Sequence, residues 1–173
     1  GSAIQRGATA LSPGIAAEAM EHLGHRCRRS SPEDLTPGQC ARWVARDFAD
    51  GRVLVAGGFD FGDLPLASVT LYDPTTNTSS PIGSMAAARG FHTSTLLRDG
   101  RVLVTGGGPA AWILPGPYLA SAELFDPGTG SFSPTSAMTI ARENHTATLL
   151  RDGRVLIAGG NDTDLRFQTP HAV

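Results

Sequence analysis

The chain has 173 residues and a formal net charge of −2, long enough for one core of ordinary size and without the basic footprint of a nucleic-acid or anionic-membrane binder. All fourteen basic residues are arginine, a bias that fits a GC-rich, bacterial-type gene. No apolar run approaches the roughly 18 residues needed to span a bilayer, and residues 1–20 lack the compact apolar stretch of a secretory signal, so the compartment stays open.

Residues 1–49 read as a short helical segment. Ser12 and Pro13 make an N-cap and first-turn pair before IAAEAMEHLG, which Gly24 can close. Thr36 and Pro37 repeat the start signal before QCARWVARDF, where Cys40, Trp43, Val44 and Phe48 share one face at helical spacing. Setting the downstream pattern back by 49 residues would place Trp43 where His92 sits and Asp47 where Leu96 sits. A carboxylate at a buried strand position is a poor fit, so this segment is expected to lie outside the repeat. His22, His25, Cys27 and Cys40 are zinc-type side chains, but their H-x2-H-x-C-x12-C spacing matches no structural zinc pattern. No metal and no cofactor are expected; a Cys27–Cys40 disulfide would require an oxidising compartment.

The composition changes at Asp50. DGRVLVAGG at 50–58 returns as DGRVLVTGG at 99–107 and DGRVLIAGG at 152–160. Longer copies, 67–107 and 120–160, align at an offset of 53 that carries Asp73 onto Asp126, Arg89 onto Arg142 and His92 onto His145. A period near fifty means a supersecondary unit that stacks on its own kind. Within a unit, FHTSTLL (91–97), RVLVT (101–105), ASAELF (120–125) and a polar stretch near 130–134 read as four short strands separated by Asp-Gly, Gly-Gly and Asp-Pro-Gly breaks. Four antiparallel strands at this period make one β-propeller blade. The expected layout is a partial blade at 50–83, a full blade at 91–134, a partial blade at 144–160 and a tail at 163–173.

The double glycines Gly57-Gly58, Gly106-Gly107 and Gly159-Gly160, the turns at Asp73 and Asp126, and the Met…Arg-x-x-His strings ending at His92 and His145 resemble the kelch repeat family. That resemblance implies an all-β propeller and says little about activity. The fourth-strand aromatic of the pattern survives as Phe132 but is Ser79 one unit earlier, which predicts a looser outer strand there.

Arg89, His92, Arg142 and His145 recur once per unit, whereas a catalytic group is needed once. They are therefore expected to bond backbone groups at the blade start. Asp73, Asp126, Asp99 and Asp152 read as turn caps. Copper radical oxidases are kelch-type enzymes that use a tyrosine–cysteine pair with histidine ligands. Here the tyrosines are Tyr72 and Tyr118, Tyr72 becomes Phe125 in the next copy, and both cysteines precede the repeat, so no such site is expected. The non-periodic loop 108–119 carries Trp112, Ile113, Leu114 and Tyr118 among three prolines, residue types favoured at recognition hot spots. The expected function is a non-catalytic interaction module binding a protein or glycan through its loops. The alternative is a fragment of a larger kelch-propeller enzyme, carbohydrate-active or oxidase-like and inactive alone. In either case open blade edges favour self-association.

Overall fold

The computed structural model describes residues 44–60, 64–108 and 117–162. The helix expected after Ser12, the His22, His25, Cys27 and Cys40 set, the loop residues Trp112, Ile113 and Leu114, and the tail 163–173 lie outside them. The described residues are all β, in several antiparallel sheets with no helix.

Strands β1 (Val44–Asp47), β2 (Val53–Ala56), β3 (Ser68–Asp73) and β4 (Thr78–Ser84) form one four-stranded sheet in sequence order. Strands β5 (Thr93–Leu96), β6 (Val102–Thr105), β7 (Ala122–Asp126) and β8 (Ser131–Thr135) form a second. Two small sheets follow, β10 (Thr146–Leu149) with β11 (Val155–Ala158), and β9 (Arg142–Glu143) with β12 (Asn161–Asp162). The first strands β1, β5 and β10 lie side by side, β5 between the other two, so the sheets are arranged radially.

Strand β1 corrects the sequence reading, which made 44–48 the end of a helix outside the repeat. Val44 pairs with Ala56 and Asp47 with Val53, the register in which Thr93 pairs with Thr105 and Leu96 with Val102. The 49-residue shift is therefore realised in the backbone. The objection based on Asp47 loses its force because its equivalent, Leu96, is itself only half-buried. Pairing with the fully buried β2 overrides a weak local helical pattern.

The hairpins close on Asp-Gly turns in which the Arg52, Arg101 and Arg154 amides each donate to the aspartate two residues earlier at 3.1 Å. Asp73 and Asp126 cap their own turns, accepting from the Thr75 and Gly128 amides at 2.8 Å. The core lies between the two large sheets, built from Leu54, Ala56, Val69 and Met85 on one side and Val102, Val104 and Phe125 on the other. Phe132 packs against Phe125 in a tilted arrangement with ring centroids 5.0 Å apart. At the matching place in the first sheet Ser79 faces Tyr72 across the strands, and its buried hydroxyl has no hydrogen-bond partner. The β10–β11 sheet is different: Val155 and Ile157 are only half-buried and Leu156 is 39% exposed, whereas Val102 and Val104 are at 0%.

Candidate functional site

The recurring arginines and histidines converge where the chain leaves one sheet and enters the next. Residues 85–92 run along the first sheet before β5, and residues 138–145 run along the second before β10. The Met85 amide donates to Ala67 O at 2.9 Å and the Arg89 amide to Leu66 O at 3.0 Å; in return the Gly58 amide donates to Arg89 O at 2.9 Å. The second entry segment repeats this, Met138 to Ala120 O at 2.8 Å, Arg142 to Leu119 O at 3.2 Å, and Gly107 to Arg142 O at 2.9 Å. The double glycines form the groove that receives these segments. A Cβ on Gly57 would lie 2.5 Å from Arg89 O, and one on Gly106 2.5 Å from Arg142 O.

Arg89 is fully buried. Its Nη1 donates to Gly106 O at 2.8 Å and Ser121 O at 3.1 Å, its Nη2 to Ser121 Oγ at 3.0 Å and Glu123 Oε1 at 2.7 Å. Glu123, on β7 and 4% exposed, also accepts from the Ala86 and Ala87 amides at 2.7 and 3.4 Å. Burial pulls the Arg89 guanidinium below its ordinary pKa, and the Glu123 charge opposes that pull. Arg142 is likewise buried at 3%, but its guanidinium makes one bond, Nη1 to Gly159 O at 2.6 Å, and pairs with no carboxylate among the described residues.

The histidines also differ. His145 Nε2 lies 2.9 Å from Thr93 Oγ1 and 3.1 Å from Thr105 Oγ1, a contact that ties the third sheet to the second. His92 occupies the same place one unit earlier, where the residues in register with Thr93 and Thr105 are Val44 and Ala56, which carry no hydroxyl. Neither His92 ring nitrogen makes a hydrogen bond of normal geometry. Burial first, and the Arg89 charge second, push His92 down to about 3; burial and Arg142 push His145 down to about 4. Both rings are therefore neutral packing groups at pH 7, and their exposed-state pKa is near 6.5. A base whose folded pKa is depressed gives stability fully present above the unfolded value and lost as pH falls toward the folded one. Stability is expected to fall by about 1.4 kcal/mol per pH unit for His92 between roughly pH 6.5 and 4. Urea denaturation of wild type and His92→Gln at pH 7.0 and 5.0 measures it: the variant should lose clearly less stability on acidification, and parallel losses would disprove the assignment.

Two buried carboxylates escaped sequence reasoning. Glu123 and Glu143 fall, by the offset of 53, opposite Thr70 and Gly90, so a search for recurring positions discards both. The available signal was the reverse one, an acidic residue inside a strand pattern. Glu143 is 4% exposed; burial raises its carboxyl pKa, against the opposing effect of hydrogen bonding from Asn161 and Tyr118. Tyr118, the described member of the apolar loop set, is half-buried, and burial followed by the Glu143 charge raises its hydroxyl pKa. A small cleft lined by Phe48, Leu71, Ile82 and Phe125 holds no nucleophile and no acid–base pair.

Among the described residues no three His, Cys, Asp or Glu side chains converge on a point suited to a metal ion. His145 is engaged by two threonines and His92 is enclosed in the core, so neither presents a free nitrogen beside a second ligand. This donor set does not fit copper.

Residues 48–86 match the family model of the Kelch motif. Two curated relatives, both named galactose oxidase and both from Gibberella zeae, one of them strain PH-1, are 30% identical over 165 residues and cover 83% of this chain. The chain spans about a quarter of their length, 24%. These relatives are fungal, and a bacterial source does not follow from the arginine usage. A solved structure described as a novel fungal alcohol oxidase with catalytic diversity among the AA5 family, in complex with copper, superposes with a TM-score of 0.60 at 25% identity. That match covers 68% of this chain and 27% of the other.

Proposed function

We propose that this chain supplies non-catalytic blades to a kelch propeller of the galactose-oxidase type, and that its own ligand contact, with a protein or a glycan, is made through loop 108–119. The carrying observation is that Arg89, Arg142 and His145 each bond to the sheet that their segment enters or adjoins. Side chains that hold successive sheets together are assembly groups, and His92 is enclosed beside them. The similarity to galactose oxidase supports the propeller type, and the apolar Trp112, Ile113, Leu114 and Tyr118 of the loop supply the residue types of a recognition surface.

The purified chain is therefore expected to bind no stoichiometric copper and to release no peroxide from galactose. Calorimetric copper titration and a coupled peroxide assay check both. One tightly bound copper per chain, with galactose oxidation that Thr93→Val and Trp112→Ala leave unchanged, would overturn the reading. Loss of glycan or protein binding in Trp112→Ala, at unchanged melting temperature, is the result expected for the loop.

A further inference from the structure

The turn between β3 and β4 departs from the turn between β7 and β8 at three coupled positions. We propose that Asn77, in the run Asn77-Thr78-Ser79, is an acceptor for an N-linked glycan, and that it alone is occupied among the Asn-x-Ser/Thr triplets at Asn77, Asn144 and Asn161. In the transfer, Asn77 Nδ2 forms a bond to the anomeric carbon of an oligosaccharide carried on a lipid pyrophosphate. The bond from that carbon to the pyrophosphate oxygen breaks, and the lipid pyrophosphate leaves with the proton that Nδ2 gives up.

The offset of 53 sets Tyr72, Asn77 and Ser79 against Phe125, Gly130 and Phe132. The two turns share one backbone: Asn77 stands at φ +52° and Gly130 at φ +67°, and Tyr72 faces Ser79 as Phe125 faces Phe132. Asparagine is an ordinary answer to a positive φ, so Asn77 taken alone indicates nothing. Ser79 is different. Phe132 packs against Phe125, whereas the Ser79 hydroxyl is buried with no hydrogen-bond partner. The folded sheet gains neither ring packing nor a hydrogen bond from it, and a buried hydroxyl left unpaired is destabilising. The reader of that hydroxyl is the glycosyl transferase, which requires it two residues after the asparagine.

The folded turn also leaves room for the product. Residues 74–78 are all exposed. The Tyr72 hydroxyl donates to Asn77 Oδ1 at 3.1 Å, which holds the amide by its oxygen and leaves Nδ2 without a partner among the described residues. The antiparallel order β1-β2-β3-β4 puts this turn at the end of the sheet opposite Gly57 and Gly58, so a glycan there leaves the groove for the entry segment clear. The other two triplets lack this freedom. Asn144 stands between the buried Glu143 and His145, and its Nδ2 donates to Glu143 Oε1 at 3.3 Å. Asn161 lies opposite Glu143 in the β9–β12 pair and hydrogen-bonds to its carboxyl.

The full chain, secreted from yeast behind a host leader, is expected to carry a single glycan, released by an amidase specific for N-linked glycans and mapped to Asn77 by peptide mass. Ser79→Thr should keep the glycan, and Ser79→Ala and Asn77→Gln should each lose it. Ser79→Ala made in bacteria, without glycan, should melt no lower than wild type made the same way, because the hydroxyl removed has no partner. An unmodified Asn77 in the secreted wild type, or a glycan mapped to Asn144 or Asn161, would overturn the proposal. A clear fall in the melting temperature of unglycosylated Ser79→Ala would overturn it as well, since a structural role would then account for Ser79. If Asn77→Gln fails to fold at its positive φ, Ser79→Ala leaves that position untouched and carries the comparison.

Discussion

Glu123→Ala is expected to cost about 3–5 kcal/mol, because breaking a buried pair leaves its cation desolvated and uncompensated. The carboxylate accepts from Arg89 Nη2 at 2.7 Å and from the Ala86 amide at 2.7 Å, so its removal unpairs a fully buried guanidinium and frees an entry segment at once. Against a total stability of about 5–15 kcal/mol for a domain, that is enough to depopulate the native state under mild denaturant. Glu123→Gln retains an acceptor but not the charge and should lose about half as much. Arg142→Ala removes an arginine of the same repeat position that has no carboxylate partner among the described residues, and it should cost far less than Arg89→Ala. Urea midpoints at unchanged denaturant slope measure all four. A Glu123→Ala midpoint within experimental error of wild type would show that the pair breaks even against its desolvation.

The second large effect is steric. Gly106→Ala is expected to lose about 2–4 kcal/mol, and Gly100→Ala only about 1 kcal/mol. Both glycines have positive φ, +63° and +85°, so backbone strain is common to them. The difference lies in what a Cβ meets. At Gly100 there is nothing within 4 Å; at Gly106 the Arg142 carbonyl is at 2.5 Å, the His145 ring at 2.7 Å and the Met138 methyl at 2.9 Å. The carbonyl is fixed by its bond from Gly107 and has no rotamer by which to move aside. Gly159→Ala, φ +68° with nothing within 4 Å among the described residues, should behave like Gly100→Ala despite belonging to the double-glycine set. Thermal melts of the three variants decide it, and equal shifts for Gly106 and Gly100 would mean that conformation alone sets the requirement.

Much of the sheet pattern could be read in the residues. Runs such as RVLVT bounded by Asp-Gly and Gly-Gly have one sensible place in an antiparallel sheet, and β6 occupies Val102–Thr105 within that run. Repetition also singled out Arg89 and Arg142, which lie buried at the same repeat position. The missed pieces are those whose meaning depends on a distant partner. Val44–Asp47 resembles the end of a helix until β2 is beside it, and Glu123 resembles a solvent-facing strand residue until Arg89 arrives from 34 positions earlier. Phe91 and Asn144 hold φ near +53° at the same repeat position; asparagine favours that region, but phenylalanine does not. The Asn144 amide donates to Phe91 O at 2.9 Å, a link between successive units that no local pattern encodes.

The groove at Gly57 is filled by the carbonyl of a residue synthesised later, and this makes the order of the repeats an order in time. A ribosome adds about 5–20 residues per second, so several seconds separate the appearance of residue 57 from that of residue 92. Hairpins form in about 1–10 μs. Each sheet on the nascent chain is thus hydrogen-bonded long before its outer groove is occupied, and its Gly-Gly edge stays open until the following entry segment emerges. Growth from one end proceeds without competition, since the segment that fits each groove is always the next to leave the ribosome. Refolding from denaturant offers no such order: residues 85–92 and 138–145 present similar backbone carbonyls to similar grooves at the same moment, and exchange between them is the error that synthesis avoids.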